Sequence, residues 1–270
     1  MQLKKRICLT LSLFIGLGSM VLSADQDLAK QSQNPIGNLI SVPFEFWHYE
    51  SKDVDARSNA LMIKPVYPVN IGKYNLINRL IIPFLDVDAA FSGDLDDVNL
   101  GPINIDQSGL GNIQYQAFFT PAEPGKAIVG LGPVFEFPTH SEDFLGSEKF
   151  SAGAAAVVLS MPGNWVVGML AQNIWSVGGD SEAPDVNKFT FQYFLNYNLS
   201  NGWYLTTSPI ITADWEKESD DRWSVPWGGG VGRLVNIGKQ PVDFKLQGYT
   251  YSEGSLDWSM MFAVKFLFPK

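Results

Sequence analysis

Apolar and polar residues alternate along residues 188–215, on both sides of a Ser-Asn-Gly turn at 200–202. Successive side chains of a β-strand point to opposite faces, so a period of two predicts two strands joined by a tight hairpin. One face of this hairpin is mostly aromatic and aliphatic, and the other carries Thr, Gln, Asn and Ser. Such an apolar face is either buried in the core of a soluble sandwich or exposed to lipid on a transmembrane barrel. The period alone leaves both folds open.

The same alternation recurs along most of the chain. It predicts twelve strands, near 37–49, 58–67, 74–85, 110–119, 127–137, 150–161, 164–177, 188–199, 203–215, 223–237, 241–251 and 257–268. An even strand number is typical of bacterial outer-membrane barrels. Only residues 25–33 have a helical pattern, and that segment is polar.

The connectors between these strands alternate in length and charge. One set is long and acidic, and its longest member spans residues 86–108, whereas the other set is short and often contains a lysine. Most of the 28 acidic residues lie in or beside the long set. Short turns on one side and long loops on the other are characteristic of up-and-down outer-membrane barrels. We therefore expect extracellular acidic loops and periplasmic termini.

The tryptophan spacing matches the thickness of a membrane. Trp165 and Trp175 share one face, and ten residues at about 3.3 Å span about 33 Å, which a tilt near 40° reduces to about 25 Å. Trp203 and Trp215 give about 30 Å by the same reasoning. These values approach the roughly 25 Å between the two aromatic girdles of outer-membrane barrels. The mean hydropathy of +0.01 excludes a bundle of apolar helices. The sequence thus predicts an all-β, antiparallel, up-and-down transmembrane barrel of about twelve strands whose aromatic face meets lipid.

The first residues have the features of a secretory signal peptide. Lys4, Lys5 and Arg6 precede an apolar run that ends at small residues Ser23 and Ala24. We predict a signal peptide over 1–24, a periplasmic N-terminal segment over 25–35 and a barrel over 36–270. Cys8, the one cysteine of the sequence, lies inside the predicted signal. Disulfides and cysteine-based metal sites are therefore not expected in the mature chain.

Charge limits the possible partners. Removal of the three basic signal residues changes the formal net charge from −9 to −12. Nucleic acids require a basic surface, so we expect no nucleic-acid partner. The expected partners are outer-membrane lipids, lipopolysaccharide and a small solute, in the outer membrane of a Gram-negative bacterium. The glycine run at 227–232 lacks the Lys-Ser/Thr of a phosphate loop, and the acidic stretch at 86–97 lacks the ligand pattern of a calcium loop, so we predict no cofactor and no metal.

Several segments resemble a known family. They include "NPIGNLISVPFEF", "PVYPVNIGKYNLINRLIIPF", "NGWYLTTSPIITADW" and "RWSVPWGGGVGRLVNIGKQPV". These segments are similar to a family of bacterial outer-membrane transporters that is related to proteins of the meta-pathway of phenol degradation and is often mislabelled neuromedin U. The resemblance extends over nearly the whole mature chain. It implies a membrane β-barrel with a transport role and supplies no catalytic residues.

Charged residues on the polar faces of strands form the candidate site. A charge that faces acyl chains at mid-depth costs roughly 2–4 kcal/mol for Arg or Lys, so we expect these side chains to point into the lumen. We further expect opposite charges to pair there. Such a cluster either fills and closes the barrel or forms the constriction and selectivity filter of a narrow pathway. The candidates are Glu45, Lys64, Arg79, Glu136, Asp214, Lys245 and Lys265, with Asp243 near a turn.

Two functions from different classes remain open, and an enzyme is a distant third. The first is a channel or transporter with a narrow charged lumen for a small solute, for which hydrophobic or aromatic solutes are candidates. The alternative is a closed structural or surface-binding barrel that acts through its acidic extracellular loops. A hydrolase would need a Ser-His pair at the outer rim. His48 has outward parity there, but the sequence pairs no strand-borne serine with it, so we predict no enzymatic activity.

Overall fold

The computed structural model describes residues 21–23, 26–52, 55–95 and 98–269, with the backbone alone at 21–23, 55 and 91–103. The signal peptide predicted over 1–24 lies almost entirely outside these residues. The described part contains sixteen strands in one sheet and one short α-helix. None of its helices is long and apolar enough to cross a membrane.

The strands follow one another along the chain with short breaks. The helix α1 is Gln26–Ser32, and the strands are β1 (Val21–Ser23), β2 (Ile40–Ser51), β3 (Asp55–Ile63), β4 (Val66–Asn70), β5 (Tyr74–Leu95), β6 (Val98–Leu110), β7 (Ile113–Pro121), β8 (Ala127–Phe137), β9 (Lys149–Ser160), β10 (Trp165–Gly179), β11 (Asn187–Asn198), β12 (Trp203–Thr207), β13 (Ile210–Asp214), β14 (Trp223–Ile237), β15 (Gln240–Glu253) and β16 (Leu256–Phe268).

The sheet closes on itself as an antiparallel barrel. The last strand, β16, pairs with β2, and β14 pairs with β15, so the described strands from β2 to β16 form a ring. Three strands of the barrel wall are each interrupted once, between β3 and β4, between β6 and β7, and between β12 and β13. Pro65 and Pro209 lie in two of these breaks, because proline has no N–H to donate to the ladder. Counted as continuous strands of the wall, the ring has twelve, and the predicted twelve-stranded barrel is confirmed.

One connector differs from its prediction. Residues 86–108 were expected to form a long loop. Instead, β5 is 22 residues long and ends at Leu95, and it pairs with β6 over most of this stretch. Asp86 lies opposite Ser108, and Asp88 lies opposite Asp106. Acidic residues on both strands interrupt the alternation of apolar and polar residues. The sequence pattern therefore did not predict strands here.

The outer wall carries an apolar belt with tryptophan near its edges. Trp165 is 41% exposed and Trp175 is 47% exposed, near opposite ends of β10. Leu131 and Leu205, between such edges on other strands, are more than half exposed. A belt of this kind in water would be an aggregation surface, and it is expected where lipid covers the wall. The aromatic face of the 188–215 hairpin is therefore the lipid face, as predicted.

The segment 26–39 lies inside the mouth of the barrel at the short-turn end. Gln33 and Asn198 exchange side-chain hydrogen bonds of 2.8 and 3.2 Å. Ile36 is 2% exposed and joins the apolar cluster of the inner wall. Gly130 makes room for it, since a Cβ at position 130 would lie 2.9 Å from the Ile36 Cδ1 atom. The sequence left open whether this N-terminal segment enters the barrel; in the structure it narrows the lumen.

Candidate functional site in the barrel lumen

A cavity of about 140 Å³ lies in the lumen between segment 26–39 and the strands. Five of the seven predicted lumen residues line it: Glu45, Lys64, Arg79, Lys245 and Lys265. Asp243, which was noted near a turn, lines it as well. The polar parity of the strands therefore brings these charges to one place.

The first ion pair joins neighbouring strands of the wall. The Lys64 Nζ atom lies 2.6 Å from the Glu45 Oε2 atom, and the two side chains are 17% and 15% exposed. Lys64 belongs to the break between β3 and β4, where its backbone N–H still bonds to the Pro43 carbonyl at 2.9 Å. The indole Nε1 of Trp47 donates a second hydrogen bond to Glu45 at 3.3 Å. Glu45 thus has two donors that fix its orientation.

A second polar group ties the helix α1 to the wall. Lys265 donates to the Ser32 carbonyl at 2.7 Å, and its Nζ atom lies 3.8 Å from Asp243 Oδ2. The buried Tyr204 hydroxyl donates to Asp243 Oδ1 at 2.8 Å, and the Ser32 hydroxyl lies 3.4 Å from Oδ2. Asp243 therefore holds three donors around a carboxylate that is 3% exposed. This group fastens the short-turn end of the lumen.

Two cations of the cavity have no acidic partner at hydrogen-bond distance in the described part of the chain. The Nε and Nη1 atoms of Arg79 are buried without a hydrogen-bond partner there, and its guanidinium lies 5.9 Å from the ring centroid of Phe118. Lys245 has neither a hydrogen bond nor an ion pair among the described side chains, although it lies in the field of Glu45. With four cations and two carboxylates, the lining carries a formal excess of two positive charges.

Apolar side chains also contribute to the lumen. Phe118 and Ile77 are fully buried, and Phe194 lines the cavity itself. These residues belong to a cluster that continues through the inner faces of β7 to β11. The polar residues Gln192 and Asn196, on either side of Phe194 in β11, line the cavity as well, so its lining mixes charged, polar and apolar side chains.

Aromatic rings line the lumen beyond Glu45, toward the long loops. Trp47 stacks on Tyr49 at a centroid distance of 5.5 Å and on Tyr249 at 6.3 Å. Together with Tyr251 they border a second cavity of about 180 Å³. Aromatic residues of the lumen were not among the predicted candidates, although the sequence contains a signal for them. They lie on the polar parity of their strands, and they include Trp47, Phe118, Phe194, Tyr204 and Tyr249.

The two remaining candidates point inward but lie apart from the cavity. Glu136 accepts a hydrogen bond of 3.2 Å from Gln114, which belongs to a buried network with Gln116 and Gln172. Asp214 lies at the end of β13, where its carboxylate accepts a hydrogen bond from the Glu216 N–H. Glu136 therefore does not meet the cations that it was expected to meet, whereas Glu45 does.

His48 has the outward orientation that its parity predicts. Its Nδ1 lies 2.8 Å from Asn59 Oδ1, and its Nε2 lies 3.1 Å from Glu50 Oε1. Both ring nitrogens therefore face an amide or a carboxylate, and neither faces a hydroxyl that it could activate. Within the described residues, no cluster of three His, Cys, Asp or Glu could hold a metal ion.

The closed ring, the apolar belt and the polar lumen define a transmembrane β-barrel of the outer-membrane type, because only a closed barrel satisfies the backbone of strands in lipid. The chain belongs to the family described as "Putative MetA-pathway of phenol degradation", whose model matches residues 33–259. Membership agrees with the resemblance noted in the sequence. The fold is that of the β-barrels of the Gram-negative outer membrane.

A solved outer-membrane channel shares this fold, and two further outer-membrane proteins resemble the chain more weakly. The chain is similar to an outer membrane channel from Pseudomonas putida F1, with 15% identity, a TM-score of 0.61, and coverage of 93% of this chain and 98% of that one. The NanC porin has 8% identity and a TM-score of 0.49, covering 84% and 98%. The CymD monoaromatic hydrocarbon channel has 9% identity and a TM-score of 0.47, covering 95% and 96%. No curated protein matches the chain.

Proposed function

We propose that the protein is a channel for a small amphipathic solute, one with an aromatic or other hydrophobic body and a polar group. The observation that carries this proposal is the mixed lining of the cavity, which combines the Glu45–Lys64 pair and Arg79 with the apolar side chains of Leu39, Phe194 and Met261. A uniformly polar solute gains nothing from the apolar side chains, and a pure hydrocarbon would have to desolvate the charged ones. An amphipathic solute can contact both.

The size of the cavity supports a single ring as the body of the solute. An apolar cavity of about 150 Å³ accepts one benzene molecule, and this one has about 140 Å³. The stacked rings of Trp47 and Tyr249 offer further contacts between the long-loop end and the cavity, since aromatic rings pair favourably in offset or edge-to-face geometry. The CymD structure is described as a channel for monoaromatic hydrocarbons, but its similarity to this chain is too low to transfer that solute.

Proteoliposome uptake tests the proposal with a matched pair of phenylalanines. Phe194 lines the cavity, and Phe119 is 48% exposed on the outer wall. Uptake of phenol should exceed uptake of a polyol of similar size. Phe194→Leu should narrow that preference, and Phe119→Leu should leave it unchanged. Equal effects of the two variants, or no preference in the unmodified protein, would contradict the proposal.

The alternative is a closed barrel that acts through its acidic rim. The position of segment 26–39 in the mouth favours it, because Ile36 and the Lys265–Ser32 hydrogen bond narrow the axial path. A folded protein that passes neither ions nor phenol in planar bilayers would support this alternative. Contact with lipopolysaccharide at the acidic rim stays a prediction. It is based on the acidic connectors, which divalent cations can bridge to lipopolysaccharide.

A further inference from the structure

We propose that Arg79 and Lys245 form a binding site for an anionic group on the solute, a carboxylate or a phenolate oxygen. This inference rests on the proposed function and narrows its solute class to aromatic or otherwise apolar anions. Arg79 and Lys245 would bind the solute, whereas Lys64 and Lys265 form contacts within the protein, with Glu45 and with the Ser32 carbonyl.

The two carboxylates of the cavity are occupied by other donors. Glu45 accepts hydrogen bonds from Lys64 and Trp47. Asp243 accepts one from Tyr204 and lies within 3.8 Å of Lys265. Charge balance within the cavity therefore leaves Arg79 and Lys245 as the two cations without an acidic partner at hydrogen-bond distance among the described residues, although the charge of Glu45 acts on both.

Uncompensated cations in a narrow lumen have an energetic cost. A buried charge is normally paired, because leaving it without a partner forfeits hydration that the protein must replace. The chain as a whole has a formal net charge of −9, so a cationic cavity does not follow from its composition. In membrane proteins, ionisable groups that face an interior pathway commonly mark the route of a substrate or an ion.

The geometry around Arg79 fits an anion that carries a ring. A guanidinium donates charge-assisted hydrogen bonds to carboxylate oxygens, and here Nε and Nη1 are buried without a partner among the described residues. Arg79 lines the cavity, and its guanidinium lies against the buried ring of Phe118. An oxygen bound by Arg79 therefore places the rest of the solute among the lining side chains, which include Phe194 and Met261, and Lys245 contributes a second positive charge to the same lining.

A purely structural role for Arg79 is the competing explanation. Its stacking on Phe118 could fill space in the wall and contribute about 1 kcal/mol without binding anything. The two roles differ in one measurable respect: a space-filling arginine affects folding, whereas a binding arginine determines which solutes are held.

The test compares benzoate, benzyl alcohol and benzylammonium, which share a ring and differ in charge. Isothermal titration of the refolded protein measures binding, and reversal potentials in planar bilayers measure permeation. The variants are Arg79→Gln, Arg79→Lys and Lys245→Gln. Lys188→Gln is the matched control, because it removes one positive charge from an exposed position at the end of β11.

We expect benzoate to bind and permeate best in the unmodified protein. Arg79→Gln should weaken benzoate binding about tenfold or more, in line with the loss of a charge-assisted hydrogen bond, and leave benzyl alcohol within about twofold. Arg79→Lys should retain part of the binding, Lys245→Gln should lose part, and Lys188→Gln should match the unmodified protein. Arg79→Lys and Lys245→Gln keep the test decisive if Arg79→Gln fails to fold.

The outcomes separate this inference from the proposed function. Benzoate binding that is unchanged in Arg79→Gln and Lys245→Gln, or a preference for benzylammonium, would overturn the anion site while leaving a channel possible. Benzoate that binds in an Arg79-dependent manner but does not cross the bilayer would support the site and overturn the channel.

Discussion

Removing either member of the Glu45–Lys64 pair should have the same effect on stability and opposite effects on ion selectivity. The pair is 2.6 Å long and mostly buried, with side-chain exposures of 15% and 17%. Breaking a buried pair from one side costs about 3–5 kcal/mol, because the remaining charge loses its partner. The residual exposure and the neighbouring lumen reduce this, so we expect Glu45→Gln and Lys64→Gln each to lower the free energy of unfolding by about 1–3 kcal/mol.

Ion selectivity should change in opposite directions in Glu45→Gln and Lys64→Gln, because the two substitutions change the charge of the cavity with opposite sign. The lining has a formal charge of +2, which Glu45→Gln raises to +3 and Lys64→Gln lowers to +1. An ion that crosses so narrow a cavity passes within about 5 Å of position 45. One unit charge at that distance contributes about 0.8 kcal/mol in water, with opposite sign for an anion and a cation, so the anion-to-cation permeability ratio changes by about 1.7 kcal/mol, or about sixteenfold. We therefore expect the ratio to rise by about one order of magnitude in Glu45→Gln and to fall by about one order of magnitude in Lys64→Gln.

Two assays on the same preparations measure these effects. Urea unfolding in lipid vesicles gives the stability change, and the reversal potential across a tenfold KCl gradient gives the permeability ratio. The double variant Glu45→Gln with Lys64→Gln restores the charge to +2, so its ratio should return toward that of the unmodified protein. A shared loss of stability with unchanged ratios would mean that the pair closes the barrel and is not part of a filter. Shifts of the same sign in both single variants would refute the reasoning altogether.

Three other predictions test the mouth, the topology and the lipid face. Gly130→Leu should displace Ile36, whose Cδ1 lies 2.9 Å from a Cβ at that position, and raise single-channel conductance; an unchanged conductance would show that the segment does not limit the path. An epitope inserted after Glu218 should be labelled on intact cells, and labelling only after lysis would invert the barrel. In a protein with Trp175 as its single tryptophan, brominated lipid should quench fluorescence strongly, whereas Trp47 alone, which is 8% exposed inside the lumen, should be nearly unaffected.

The sequence was a good guide to the wall of the barrel, because a strand with lipid on one side and a polar lumen on the other must alternate at every step. The strand predicted over 223–237 is Trp223–Ile237 in the structure, and the one over 127–137 is Ala127–Phe137. Among the lumen candidates, Lys64 and Arg79 line the cavity, and Glu136 bonds to the inward-facing Gln114.

Three features could not be obtained in this way. Acidic residues interrupt the apolar alternation in the hairpin of β5 and β6, so the pattern does not mark it. Parity assigns a side chain to the lumen but not to a height along it, and for that reason Glu136 was grouped with cations that it does not meet. The position of segment 26–39 depends on a shape match between Ile36 and Gly130, which are separated in sequence by four strands of the wall, and no local pattern encodes it.

The acidic rim and the cationic cavity are compatible because their fields act over different distances. Charges on the long connectors are exposed, and at physiological ionic strength salt screens them beyond about 8 Å. An anion that approaches the mouth therefore meets little repulsion until it is close to an acidic side chain. Inside the lumen the ions of the solvent are largely excluded, so Arg79 and Lys245 act without comparable screening. The net charge of the chain therefore reflects its exposed connectors, whereas the few charges that line the cavity determine which solutes it can hold.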